Sequence, residues 1–343
     1  MGERTLLSWW RAPLWVLALG TGAKNFADNP VLGSRWLNAR GLHVARLKLA
    51  HRLAWRRRRR LAAPVPDAWR AEFDRNGFVE VRDFLPADQF KRLQTAILEG
   101  AFDSRQHQQG DTITRRVPIG PALLTAVPEL GATLGSSRWR SLLAYVASTR
   151  SEPLYYIQTI LAGHADGPPD PQLELHSDTF HPSLKAWLFL TDVAEGDGPL
   201  TYVPGSHRLT PERIAWERQR SVEIHDSDRL SQRGSLRVAP GELSMLGLPP
   251  PVRFAVPANT LIAIDTYRFH ARGRSSGPTT RVEIWAYVRR TPFAPWTGLD
   301  PLSWPPIAVR RAGWLARIVD GLDRLGIMKQ HWRPAARCRP ADS

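Results

Sequence analysis

Among 343 residues there is one cysteine, Cys338. A single thiol makes no intrachain disulfide and no cysteine-based zinc site, so packing alone must hold the fold. Glycine-rich phosphate loops of the GxGxxG or P-loop type are missing, and so is any internal repeat. There is also no apolar run of the ~18 residues that a membrane-spanning helix needs. The nearest candidate, "LLSWWRAPLWVLALGTGA" at residues 6–23, is broken by Arg11 and Pro13. A secretory signal would use Arg4 and Arg11 ahead of that run, but a small-x-small cleavage site is lacking. The expectation is therefore an interfacial helix, with Trp9, Trp10 and Trp15 at headgroup level, set against a helix packed on the protein's own core.

What is present is apolar bulk and positive charge. A hydrophobic content of 43% with 14 tryptophans excludes a disordered chain. The net charge of +15 selects for anionic partners, whether acidic lipid, nucleic acid or an anionic substrate. The densest run is Arg56 to Arg60, within a basic, Trp-rich helical leader over residues 1–66. Leu42, Ala45, Leu49 and Leu53 recur at helical spacing in that leader, and Pro64 and Pro66 end it. Aromatic residues cluster at the N-terminal apolar run instead of interleaving with the arginines. This favours an anionic membrane surface, through residues 1–63, over nucleic acid. Cytoplasmic placement with membrane association follows as the expectation.

From Asp67 the pattern changes. "DAWRAEFDRNGFVEVRDFLPADQFKRLQTAILEG" predicts helix, turn at Asn76–Gly77, strand at Phe78–Val81, then a second helix capped by Asp88 after Pro86. Between about residues 153 and 291, six short apolar or alternating runs are separated by Gly, Pro and Asp clusters. Such spacing predicts a mainly β fold with flanking helices: a sandwich, barrel or jelly roll. Residues 101–150 and the polar insertion at 208–240, with a helix near 211–220, read as substrate-determining loops. Residues 67–295 read as one domain, followed by a basic helical extension, 296–343.

"QLELHSDTFHP", residues 172–182, raises the chemical question. Side chains alternate along a strand, so His176 and Asp178 project to the same side. They could be polar residues at a strand end, or two corners of a mononuclear iron site, which takes two histidines and one carboxylate on one face. The second histidine would come from His181, His207, His225 or His270. A jelly roll brings an early and a late strand end together, which favours His270. Arg281, eleven residues later, could grip a carboxylate through its planar fork, as the distal carboxylate of 2-oxoglutarate would require. Its plainer reading is a surface strand arginine.

Taken together, "FDRNGFVEVRDFLPADQFKRL", "HSD", "AWLFLTDV", "GDGPLTYVPGSH" and "NTLIAIDTYRFHARG" followed by Arg281 resemble the phytanoyl-CoA dioxygenase family of Fe(II)/2-oxoglutarate oxygenases over about residues 67–291. The resemblance implies a double-stranded β-helix (a cupin-like jelly roll). It implies iron ligation by His176, Asp178 and His270, and a 2-oxoglutarate anchor at Arg281. Gln158 and Trp187 match positions that line the co-substrate pocket. Arg272 departs from the family, which often carries a small hydroxyl residue there. Lys185 reads as an exposed lysine or a further contact to oxoglutarate. Because Asp178 is present, hydroxylation is expected over halogenation. The implied activity is hydroxylation of an aliphatic C–H of a small-molecule or lipid-type substrate, using Fe(II), 2-oxoglutarate and O2 and releasing succinate and CO2. The alternatives are a non-catalytic β-helix module binding an anionic partner, which would need no such triad, and a nucleic-acid oxygenase.

Overall fold

A computed structural model describes residues 11–342. Arg4, Trp9 and Trp10 lie outside the described residues. Among the described residues, eleven strands build two sheets that face one another. They are β1 (Phe78–Val81), β2 (Phe102–Gln109), β3 (Thr112–Pro118), β4 (Leu154–Ala162), β5 (Leu184–Phe189) and β6 (Leu200–Tyr202). The later ones are β7 (Val252–Arg253), β8 (Leu261–Asp265), β9 (His270–Arg272), β10 (Thr279–Val288) and β11 (Arg333–Cys338). The major sheet runs β1-β8-β5-β10-β4-β3-β2-β11, antiparallel throughout, and the minor sheet runs β7-β6-β9. Single bridges at His176–His270, Val193–Val256 and Asp197–Ser275 extend the minor sheet. This is the jelly-roll core that the strand spacing predicts.

The two-residue period decides which side chains enter the interior. On β5, Leu184, Ala186 and Leu188 join the core under the outer helices, while Trp187 and Phe189 face the other sheet. On β10, Val282, Ile284, Ala286 and Val288 take the outer face. Arg281, Glu283, Trp285 and Tyr287 therefore share the inner one. Helices Ala87–Glu99 and Ser137–Ala147 cover the outer face with Leu93, Ile97, Trp139, Leu142 and Val146. A sheet covered on both faces explains why β8, "LIAID", is buried along its whole length.

Several expectations change. Residues 101–150 are not a loop: they hold β2, β3 and three helices, Pro121–Ala126, Pro128–Gly135 and Ser137–Ala147. The strands escaped notice because their inward positions carry polar residues, which hides the alternation. Asp88 is not a helix cap. Pro86 holds that position, and Asp88 stands in the first turn, where its charge meets the helix dipole. Residues 172–178 are not a regular strand but a short 3-10 turn, Pro171–Leu173, and then an extended segment. The parity survives, because the His176 backbone exchanges hydrogen bonds with His270 and the Asp178 N–H donates to the Thr266 carbonyl.

The leader helix, Leu42–Leu61, turns the opposite way from its apolar spacing. Ala45 and Leu49 are exposed, and the buried face carries Leu47, Ala50 and Ala54 together with His43, Arg46, His51, Arg57 and Arg58. Polar atoms are tolerated there because they meet partners. Arg57 donates to the carbonyls of Ser148, Pro292 and Ala294. Arg58 donates to the carbonyls of Tyr145 and Val146, at the C-terminal end of helix Ser137–Ala147, where carbonyls lack intrahelical donors. It also pairs with Asp265 at 2.8 Å. Two of the five consecutive arginines are thus internal fasteners; Arg56, Arg59 and Arg60 face outward. Among the described residues no helix is long and apolar enough to cross a membrane.

Candidate metal and co-substrate site

A cavity of about 250 Å3 opens between the two sheets. His176, Asp178, His270, Arg281, Gln158 and Trp187 all line it. His270 begins β9, and its main chain is tied to His176 by two hydrogen bonds of 2.9 and 3.0 Å, so the two histidines are held side by side. Asp178 Oδ1 lies 3.6 Å from His176 Nε2 and 3.7 Å from His270 Nε2. One donor atom from each residue falls within 4.8 Å of the others. The remaining candidate histidines bond elsewhere: His181 to the Pro182 carbonyl, His207 to that of Asp74, His225 to that of Gly33.

The donor chemistry fits a metal. His176 Nδ1 lies 2.7 Å from the Glu174 carbonyl and His270 Nδ1 lies 2.9 Å from the Arg268 carbonyl. A carbonyl only accepts, so each Nδ1 carries the proton and each Nε2 offers its lone pair inward. His270 Nε2 is buried with no hydrogen-bond partner, an orphaned acceptor that an ion would satisfy. Burial pushes the His270 imidazole down to about 3, keeping it neutral and able to ligate. Burial alone would push the Asp178 carboxyl up; the Lys185 ammonium outweighs it and holds the group well below the usual carboxylate range. Lys185 is not an exposed lysine. It pairs with Asp178 Oδ2 at 2.7 Å, which leaves Oδ1 for the histidine side. Two histidines and one carboxylate on one face match the facial set used for mononuclear Fe(II).

Arg281, also lining this cavity, is 7% exposed and already half-engaged. Its Nε donates to Glu283 Oε2 at 2.8 Å and its Nη1 to the Gly198 carbonyl at 3.0 Å. Glu283 Oε1 accepts from Gln158 Nε2 at 2.6 Å, and Gln158 Oε1 accepts from Arg116 Nε at 2.8 Å. This relay crosses β10, β4 and β3 along registered partners: Glu283 opposite Gln158, Gln158 opposite Arg116. Trp187 lies opposite Trp285 in register. Arg272, the departure noted above, lines the cavity and pairs with Asp170. Sequence reasoning missed Arg116 and Glu283. Strand parity from Arg281 would have found Glu283; nothing in the polar strand β3 marks Arg116.

Residues 73–243 match the family model described as phytanoyl-CoA dioxygenase. The chain belongs to that family. The matched stretch contains His176 and Asp178, with His270 and Arg281 beyond it, and the family is one of Fe(II)/2-oxoglutarate-dependent oxygenases with iron and 2-oxoglutarate as its cofactors. Among solved structures, the non-haem α-ketoglutarate-dependent epimerase SnoN from nogalamycin biosynthesis is 20% identical, over 69% of this chain and 92% of that one, with a TM-score of 0.41. The carbocyclase SnoK from the same biosynthesis is 16% identical, over 66% and 84%, with a TM-score of 0.42. HygX from Streptomyces hygroscopicus, with nickel and 2-oxoglutarate bound, is 16% identical, over 65% and 86%, with a TM-score of 0.43. No curated protein matches the chain.

Proposed function

We propose that this family member is a dioxygenase that hydroxylates an aliphatic C–H bond of a small-molecule or lipid-type substrate, coupled to oxidative decarboxylation of 2-oxoglutarate to succinate and CO2. The observation that carries the reading is the convergence of His270 Nε2, buried and unpartnered, with His176 Nε2 and Asp178 Oδ1. In this reading residues 67–295 make the oxygenase domain, with the leader 1–66 and the extension 296–343 built onto it. His176, Asp178 and His270 hold the metal. Iron, when bound, supplies the chemistry with O2 that an unactivated C–H bond requires. Lys185 holds the outer oxygen of Asp178 and so orients the inner one. Glu283 and the Gly198 carbonyl hold Nε and Nη1 of the Arg281 guanidinium and leave Nη2 for the far carboxylate of 2-oxoglutarate. Gln158 and Trp187 shape the co-substrate pocket, and the rings of Trp187, Phe189 and Trp285 keep bulk water from the reacting centre.

The test is anaerobic titration of the full chain with Fe(II) and 2-oxoglutarate, following the weak visible charge-transfer band of the chelate. The parent protein should develop it, and Arg281→Ala should need at least ~10-fold more 2-oxoglutarate, the scale of one lost charge-assisted contact. A well-folded parent with no band, binding neither ligand, would refute the reading.

A further part of the proposal concerns the membrane surface. Leu14, Val16 and Leu17 of the short helix Ala12–Leu17 are each more than half exposed, an apolar face beside Arg11. That composition supports interfacial contact with anionic lipid. Deleting the whole leader would also remove Arg57 and Arg58 from the interior, so the discriminating variant is Leu14→Glu/Leu17→Glu. Its co-sedimentation with phosphatidylcholine–phosphatidylserine vesicles should fall several-fold below that of the parent. Equal pelleting of the two proteins would remove this segment from consideration.

A further inference from the structure

A second cavity, of about 270 Å3, lies on the same inner face of the major sheet, under helix Arg311–Arg324. Leu154, Tyr156 and Tyr287 from the sheet and Ala312, Leu315 and Ala316 from the helix give it apolar walls. Arg116, Trp285 and Trp332 line both this cavity and the one holding the histidines, so the two adjoin across side chains rather than backbone. The Arg116 guanidinium lies 4.0 Å from the Trp285 ring centre and 4.5 Å from that of Trp332. Among the described residues its side chain makes one hydrogen bond, from Nε to Gln158, so its two terminal nitrogens keep their donors for a ligand. Two indole rings hold the guanidinium flat and nearby apolar surface lowers the local dielectric, which strengthens an ion contact at that edge. Helix Arg311–Arg324 and Trp332 both stand outside the stretch matched by the family model.

We propose that the second cavity is a substrate subsite for a monoanionic amphiphile. The apolar part of the ligand lies between the sheet and helix Arg311–Arg324, and its anionic group meets Arg116 at the boundary with the metal-site cavity. That the ligand is a substrate rests on the oxygenase reading; that the subsite takes an anionic amphiphile does not. The charge balance fits. Arg281 and Arg272 each already face a carboxylate partner, Lys185 is spent on Asp178, and Arg116 is the cationic lining residue of that cavity with no directly paired carboxylate among the described residues. Each cavity is small alone, and together they reach the ~300–1,000 Å3 usual for a small-molecule site.

The probe is 1-anilinonaphthalene-8-sulfonate, an aromatic body with a single negative charge, titrated into the full chain without iron or 2-oxoglutarate and displaced by decanoate or by 1-decanol. Decanoate should displace it at concentrations at least ~10-fold lower than decanol. Arg116→Met should bring that ratio close to one while leaving decanol unchanged. Ala316→Trp, which fills the cavity from the helix side, should weaken the dye at least ~10-fold. Should that variant melt earlier than the parent, Leu315→Asp at the half-exposed rim carries the same test. A ratio near one in the parent, or undiminished dye binding in the folded helix variants, overturns the subsite. So does loss of 2-oxoglutarate binding in Arg116→Met with none in Arg281→Ala, which would make Arg116 the co-substrate anchor. Measured beside it, the anaerobic iron–oxoglutarate band separates the two readings. A band without decanoate preference rejects the subsite alone, and decanoate preference without a band rejects the oxygenase alone.

Discussion

His270→Ala is expected to lose Fe(II) binding by well over ~100-fold, beyond the 10–100-fold typical for losing a group that merely supports a ligand. The variant removes one of three convergent donors and leaves the main-chain ladder between residues 176 and 270 in place. Its melting temperature without metal should fall only modestly, because relief of the unpartnered Nε2 offsets the lost bond to the Arg268 carbonyl and the small cavity left behind. Iron retained after gel filtration, measured by atomic absorption, gives the affinity. Lys185→Met makes the contrast. That ammonium touches only the outer carboxylate oxygen, so its loss should stay inside the 10–100-fold range. If His270→Ala keeps parental iron affinity, the metal is not held here and the catalytic reading falls with it.

Arg58→Met should cost about 3–5 kcal/mol of folding stability, the range for stranding one partner of a buried ion pair. Both side chains are essentially sealed, at 2% and 1% exposure. Asp265 would keep its contacts to the backbone N–H groups of Ser183 and Tyr267 and the Arg268 guanidinium at 4.0 Å, but lose its nearer, hydrogen-bonded counter-charge. Two carbonyls at the end of helix Ser137–Ala147 would lose a donor as well. Urea denaturation monitored by tryptophan fluorescence gives the number. The double variant Arg58→Met/Asp265→Asn should not recover the loss, since the buried Arg268 guanidinium then loses its carboxylate partner as well. A cost under about 1 kcal/mol for Arg58→Met, the figure for a surface pair, would show that this arginine belongs to the solvated face. The consequence reaches the site: Asp265 ends β8, and the turn after it delivers His270.

How much of this could be read beforehand depends on where the signal sits. His176 and Asp178 were legible because two residues apart on extended chain means one side, and the segment kept that parity although it forms no regular strand. His270 and Arg281 were legible through family resemblance and strand order, not local pattern. β2 and β3 were not, because strands facing a polar cavity lose the alternation that reveals strands. The leader helix was legible as a basic amphipathic helix, but not as part of the core. Its leucine spacing pointed to one stripe, while carbonyls at the end of another helix, together with Asp265, drew Arg57 and Arg58 to the opposite side.

By itself, then, the sequence determined the fold class, the shared side of His176 and Asp178 in HSD, and, through the order of motifs, His270 and Arg281 as their candidate distal partners. All of these are carried by spacing along the chain or by the order of motifs. Tertiary structure alone decided that a helix of the basic leader is part of the core, that Lys185 is spent on Asp178, that Glu283 and Gln158 tie Arg281 to Arg116, and that a C-terminal helix roofs a second cavity beside the first. Each of these depends on which charges find partners once distant segments meet. A buried charge is placed by its nearest counter-charge or carbonyl in space, and nothing in its local sequence spacing states which that will be.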